Sequence, residues 1–127
     1  MERSDTKRDL ILVVEDNPNA RKLLIHMLSS AGHGIIETDD GDEAIRLLDN
    51  HRFDLVITDL ALPNTTGFGI ISHAQAKWPQ LPVILVTGYL GKTAAEQIIN
   101  EHVEYIPKPI DRERLLAAVD RFVSHRK

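Results

Sequence analysis

The chain has no cysteine, which excludes disulfide frameworks, thiolate nucleophiles and cysteine-ligated zinc, and fits a reducing compartment. It has no basic excess: 15 Lys and Arg face 19 Asp and Glu, a net charge of −4, so there is no electrostatic case for nucleic-acid or membrane binding by the domain as a whole. No apolar run approaches a membrane span, and the start, Met1-Glu2-Arg3-Ser4-Asp5-Thr6-Lys7-Arg8, is polar, unlike a signal peptide. Internal repeats, low-complexity tracts and linkers are missing as well. The six histidines, His26, His33, His51, His73, His102 and His125, are scattered without metal-ligand spacing. What remains is 127 residues, 43% of them hydrophobic, enough to bury roughly two-thirds of the unfolded surface without staples. These terms describe one cytoplasmic globular domain, expected over residues 8–125, with a polar N-terminal extension at 1–7 and a short tail at 126–127.

Five short apolar runs recur: Leu10 to Val14, Gly34 to Glu37, Leu55 to Thr58, Val83 to Val86 and Val103 to Ile106. They are rich in β-branched residues and too short for helices, so they read as strands, several continuously apolar as buried parallel strands are. Between them, helical spacing puts Leu23, Leu24, Met27, Leu28 and Ala31 on one face, and Ala44, Leu47 and Leu48 on a second. Ile70, Ile71 and Ala74 form a third, Ala95, Ile98 and Ile99 a fourth, and Leu115, Leu116, Val119, Phe122 and Val123 a fifth. Five strands alternating with five helices predict an α/β fold, a (βα)5 three-layer sandwich with a parallel sheet covered on both faces. Asn17 with Pro18 after it, and Asp111, are the expected helix starts, and Trp78-Pro79-Gln80-Leu81-Pro82 is an expected stop.

The residues that follow the apolar runs carry the chemistry. Glu15-Asp16 follow the first, Asp59 the third, Thr87 the fourth and Lys108 the fifth. Ligands of open α/β sheets bind outside the carboxyl ends of the strands, where strand order reverses, so these groups are expected in one crevice. Three converging carboxylates repel one another unless a cation neutralises them, and an open, all-oxygen site suits Mg²⁺ better than Ca²⁺. A carboxylate can attack phosphorus to give an aspartyl phosphate, while a lysine ammonium and a threonine hydroxyl bind the remaining phosphoryl oxygens. General-base hydrolysis by Asp59 is a weaker alternative, because no serine nucleophile motif or substrate loop accompanies it.

With Val13-Val14-Glu15-Asp16-Asn17, Asp54 to Leu60 followed by Pro63 and Gly67, Val83 to Gly88, and Tyr105-Ile106-Pro107-Lys108-Pro109 in this order, the chain resembles a response regulator receiver domain (CheY-like) of two-component signal transduction. The resemblance implies a flavodoxin-like parallel sheet of order 2-1-3-4-5. It implies that Asp59 is the phosphoacceptor, and that Glu15, Asp16, Asp59 and the backbone carbonyl of Ala61 hold Mg²⁺. Thr87 and Lys108 then contact the phosphoryl group, and Thr87 with Tyr105 forms the switch. The switching surface is that of the fourth helix, fifth strand and fifth helix. A histidine kinase or histidine phosphotransfer protein is the implied donor, and a downstream protein or attached output domain the recipient, with phosphorylation-dependent homodimerisation left open. The Lys108-Pro109 bond is one that is commonly cis in such domains.

Against the pattern of such domains, Leu62 stands where Met is frequent and Thr65-Thr66-Gly67 lacks the usual acidic residue, and the resemblance implies that the positions of Ala61 and Tyr89 influence the lifetime of the phosphorylated state. The rival function is a Mg²⁺-dependent aspartyl-phosphate phosphatase or phosphotransferase acting on a free substrate. Such enzymes place a second Asp two residues after the nucleophile, where this chain has Ala61. The preferred reading is therefore not an enzyme in the ordinary sense, since its chemistry is confined to its own phosphorylation and dephosphorylation.

Overall fold

Continuously apolar strands have two faces to bury, and the computed structural model, which describes residues 9–88, 91 and 97–125, shows how each face is covered. The elements run β1 (Leu10–Val14), α1 (Pro18–Ser30), β2 (Gly34–Thr38), α2 (Gly41–Asn50), β3 (Leu55–Thr58), α3 (Gly67–Lys77), β4 (Val83–Thr87), β5 (Val103–Pro107) and α4 (Arg112–His125). All strand pairs are parallel, as the apolar runs predict, and their order, β2-β1-β3-β4-β5, is the one the resemblance implies. Side chains alternate across a strand. Ile11, Val13, Ile57, Ile84, Val86 and Ile106 accordingly pack with Leu24 and Leu28 of α1 and Leu115 and Val119 of α4. Leu12, Val14, Val56, Val83, Leu85 and Val103 pack on the other face with Ala44 and Leu48 of α2 and Ile70 and Ala74 of α3.

Each described helix starts on a polar side chain that satisfies a free backbone N–H. Asn17 Oδ1 accepts from Ala20 N at 3.0 Å, with Pro18 opening α1. Asp40 Oδ2 accepts from Glu43 N at 3.0 Å, Thr66 Oγ1 from Gly69 N at 3.4 Å, and Asp111 Oδ1 from Glu113 N at 3.0 Å. Trp78 terminates α3 through its N–H, which donates to the Ala74 carbonyl at 2.7 Å.

The differences from the sequence reading are local. Strands β2, β4 and β5 are each one residue longer than their apolar runs, because Thr38, Thr87 and Pro107 still pair in the ladder. Leu23, expected on the buried face of α1, is 48% exposed, and Ala31 is exposed at the helix end. Of the fourth expected helical face, Ala95 lies outside the described residues, Ile98 packs half-buried against the α2/α3 side, and Ile99 is exposed. Among the described residues no helix is long and apolar enough to cross a membrane.

Candidate functional site

The chain winds from β1 to β2 on one side and then crosses to β3 on the other, so strand order reverses between β1 and β3. Their register pairs Val14 with Thr58, which sets the next residue of each strand, Glu15 and Asp59, side by side at the carboxyl edge. The ladder holds both: Glu15 N donates to the Thr38 carbonyl at 3.1 Å and Asp59 N to the Val14 carbonyl at 3.0 Å. Glu15 is 1% and Asp59 7% exposed, whereas Asp16, one residue further along the loop, opens to solvent. One carboxylate oxygen from each of the three lies within 4.8 Å of the others.

The β4/β5 pair delivers the remaining groups. Thr87 ends β4, pairs with Pro107, and accepts the Lys108 N–H on its carbonyl at 3.0 Å. From there the Lys108 Nζ reaches across the sheet edge to Glu15 Oε1 at 2.7 Å and Asp59 Oδ2 at 2.8 Å. The Lys108-Pro109 bond is cis. Glu15, Asp16, Asp59 and Lys108 thus meet at one sheet edge, and Thr87 ends the neighbouring strand with its backbone on Lys108. Tyr105 is half-buried in β5, opposite Leu85, and by alternation it shares a sheet face with Thr87, so the two are diagonal neighbours. Tyr89 lies outside the described residues.

Charge does not balance in this cluster. Burial pushes the Glu15 carboxyl above its ordinary range, against the hydrogen bonds from Lys108 and the Asn17 N–H, and the Asp59 charge adds to the rise. Burial works against the Lys108 ammonium too, but its bonds to Asp59 and Glu15 prevail and hold its pKa above the usual lysine value. Three carboxylates share one ammonium, leaving two negative charges uncompensated. Arg21 does not cancel them: its Nη1 donates to the Glu15 backbone carbonyl at 2.9 Å while its Nε pairs with Glu37 at 3.0 Å. A close set of hard oxygen donors, surplus negative charge and an open side at Asp16 fit a small divalent cation. Ala61 is exposed at the rim, its N–H 3.4 Å from Asp59 Oδ1, which also accepts from Leu60 N at 2.6 Å.

Lys108→Gln leaves Glu15 and Asp59 facing each other in a buried site without their cation. The expected loss is about 2 kcal/mol of stability at neutral pH in the absence of metal. Because the Glu15 pKa is already raised, this deficit shrinks as pH falls and the carboxyl takes up its proton. Urea unfolding at neutral and at acidic pH checks both; equal midpoints for variant and parent at pH 7 would contradict it.

A family model described as "Response regulator receiver domain" matches residues 11–120. The chain belongs to the response regulator receiver domain family. Relatives of this receiver include the transcriptional regulatory protein GlrR of Escherichia coli (strain K12), 32% identical over 111 residues that cover 87% of this chain and 25% of the relative. Another is the CAI-1 autoinducer sensor kinase/phosphatase CqsS of Vibrio cholerae, 31% identical over 120 residues, covering 89% of this chain and 17% of that protein. The receiver spans about a quarter or less of the curated relatives it matches. A solved response regulator receiver protein from Pseudomonas putida is 31% identical, with a TM-score of 0.83 over 91% of this chain and 98% of that one. The receiver domain of a sensor histidine kinase from Pseudomonas aeruginosa PAO1, whose crystal structure has a magnesium ion coordinated in the active-site cleft, is 26% identical, with a TM-score of 0.83 over 93% and 99% of the two chains.

Sequence reasoning missed two side chains that brace the receiver's acidic loops. Arg21 holds the loop after β1 through the Glu15 carbonyl, and Asp40 both caps α2 and bonds Asn64 in the loop after β3. The second had a visible signal, the run Asp40-Gly41-Asp42-Glu43 ahead of the apolar Ala44, a helix-start pattern. Arg21 had none, because its partner on β2 is sixteen residues away.

Proposed function

We propose that this receiver accepts a phosphoryl group on Asp59 from the phosphohistidine of a histidine kinase or histidine phosphotransfer protein, with Mg²⁺ held by Glu15, Asp16, Asp59 and the Ala61 carbonyl. The observation that carries the reading is the convergence of three carboxylates and Lys108 at the point where strand order reverses. The magnesium in the cleft of the Pseudomonas aeruginosa receiver supports the choice of metal. The metal, when bound, offsets negative charge on the transferring phosphoryl oxygens.

The rest is done by the chain. An Asp59 carboxylate oxygen attacks phosphorus, the P–N bond to the donor imidazole breaks, and that nitrogen keeps the electron pair and takes a proton. Once Asp59 is phosphorylated its carboxyl is part of an acyl phosphate and no longer carries its own charge, and Lys108 turns from it to a phosphoryl oxygen while keeping its bond to Glu15. The Thr87 hydroxyl donates to a second phosphoryl oxygen. Its movement toward the phosphoryl group vacates space into which the Tyr105 ring, on the same sheet face, can rotate, so the switch emerges on β5, α4 and the segment between β4 and β5. This domain, residues 8–125 in this reading, works on itself in the cytoplasm and passes the change to a downstream protein or an attached output domain, with no direct contact to nucleic acid or membrane.

A Mg²⁺ titration followed by amide NMR is expected to saturate, with the largest shifts at Asp16, Asp59 and Ala61. Asp16→Ala should lose the response; a flat titration of the parent would remove the metal from the proposal. Trp78 fluorescence, attractive from the sequence because the chain has one Trp, is a poor reporter. The ring lines a cleft with Phe53 and Leu81 at the amino ends of β3 and β4, the opposite edge of the sheet.

A further inference from the structure

The loop from Leu60 to Thr66 joins Asp59 to α3, and only its first part is held by the acidic cluster, through the Leu60 and Ala61 N–H groups that point at Asp59 Oδ1. Its second part is fastened elsewhere. The Pro63 carbonyl accepts from Gly41 N at 3.2 Å, the Asn64 side-chain amide donates to Asp40 Oδ1, and Thr65 Oγ1 donates to Asp42 Oδ1 at 2.6 Å. Three consecutive loop residues are thus tied to the first turn of α2. The approach is close enough that a Cβ on Gly41 would lie 1.7 Å from the Thr65 carbonyl oxygen, so a side chain at 41 is incompatible with the contact.

Burial does not explain this arrangement, because Pro63 and Asn64 are exposed. Asn64 moreover adopts a left-handed backbone, φ 68°, which an Asn tolerates better than most residues but does not prefer. The bond to Asp40 compensates for that conformation, and the same bond, ahead of the one from Glu43 N, holds the Asp40 carboxyl below its ordinary range. Asp40 is itself fixed: its N–H donates to Thr38 Oγ1 at 3.2 Å, Thr38 Oγ1 bonds Glu43, and the Thr38 carbonyl receives the Glu15 N–H. One short network therefore runs from Glu15 in the acidic cluster, through the end of β2 and the start of α2, to the far side of the loop that carries Ala61.

We infer that Asp40 and Asn64 form a latch that positions the loop backbone at Ala61 for the cation. The inference rests on the proposed Mg²⁺ site and adds to it two positioning residues that touch neither metal nor phosphoryl group. The latch acts by keeping the loop in the conformation in which the Ala61 backbone and Asp59 face the same cation; when it opens, the loop must be reordered on binding and apparent affinity falls with the competent fraction.

The test uses two variants that separate the latch from its structural surroundings. Asn64→Gly keeps a residue at ease with positive φ and removes the amide. Asp40→Ser keeps an α2 cap and removes the carboxylate oxygen that meets Asn64. In each, hydrogen exchange at the Leu60 and Ala61 amides is expected to rise about five-fold while the β3 amides of Val56 and Ile57 stay at parent rates. The Mg²⁺ dissociation constant, from the NMR titration, is expected to rise by a similar factor, equivalent to about 1 kcal/mol. The double variant should be no worse than the weaker single one, since both remove the same bond. Unchanged Leu60 and Ala61 exchange in both variants would overturn the latch whatever the metal does. Faster exchange with an unchanged Mg²⁺ constant would overturn its role toward the cation. A parent that binds no Mg²⁺ would instead overturn the metal site, while the exchange rates still decide whether the latch holds the loop.

Discussion

Asp59→Asn is expected to reduce stable phosphoryl incorporation from acetyl phosphate and Mg²⁺ by at least about 100-fold, because a neutral amide oxygen cannot serve as the nucleophile that a carboxylate is. The substitution preserves shape, and the amide oxygen can still accept the short bond from Leu60 N. It also leaves Glu15 as the sole partner of Lys108, so the buried ion pair survives with less crowding of like charge. The variant should therefore fold at least as well as the parent, and lost labelling would not be a folding artefact. Intact-mass spectrometry after incubation with acetyl phosphate reads the outcome. A phosphoryl-sized increment of parent-like stoichiometry in the variant would move the acceptor to another residue. Asp16 would then be the first to examine, since it is the exposed member of the acidic set.

Gly67→Ala should be strongly damaging, costing about 3 kcal/mol. Gly67 opens α3 directly under the strand end that carries Asp59, and its N–H closes the loop by donating to the Leu60 carbonyl at 2.9 Å. A Cβ there would lie 2.3 Å from the Asp59 carbonyl oxygen and 2.8 Å from the Leu60 Cα, and backbone atoms cannot turn aside as a side chain can. Either α3 backs away from the sheet or Asp59 is displaced, so stability and metal binding should fall together. Gly88→Ala is the matching control: nothing lies within 4 Å of a Cβ at that position, and near-parent behaviour is expected. Urea denaturation of the two variants side by side gives the comparison, and equal midpoints would mean that the α3 contact relaxes freely.

Much of this was legible in the sequence because the sheet is buried on both faces. Runs such as Leu10 to Val14 and Val83 to Val86 are apolar at every position, which parallel central strands require, and the first polar residue after each run falls at a strand end or just beyond it. The site could thus be assembled from strand ends alone. The parts that escaped are those set by partners distant in sequence. Thr38, Thr87 and Pro107 extend their strands because a neighbour still offers a ladder bond there, which no apolar pattern encodes. Leu23 is apolar and in phase with Leu24 and Met27, yet it sits just beyond the rim of the α1 contact. The pairing of Asp40 with Asn64, twenty-four residues apart, depends on how the loops after β2 and β3 meet, which no local pattern encodes.

The two-sided core has one further consequence, for alignment. Where only one face of a strand is buried, sliding it by one residue against its neighbour brings polar groups inward, and burial alone forbids the error. Here a slip of β3 against β1 would exchange one set of aliphatic side chains for another, at little cost in hydrophobic contact. Misalignment is penalised at the edge instead. Asp59 would be drawn into the dry interior or pushed out beyond the reach of Lys108, and Glu15 would lose the neighbour with which it shares that ammonium. The charged residues after the strands are thus also the marks by which the strands find their places.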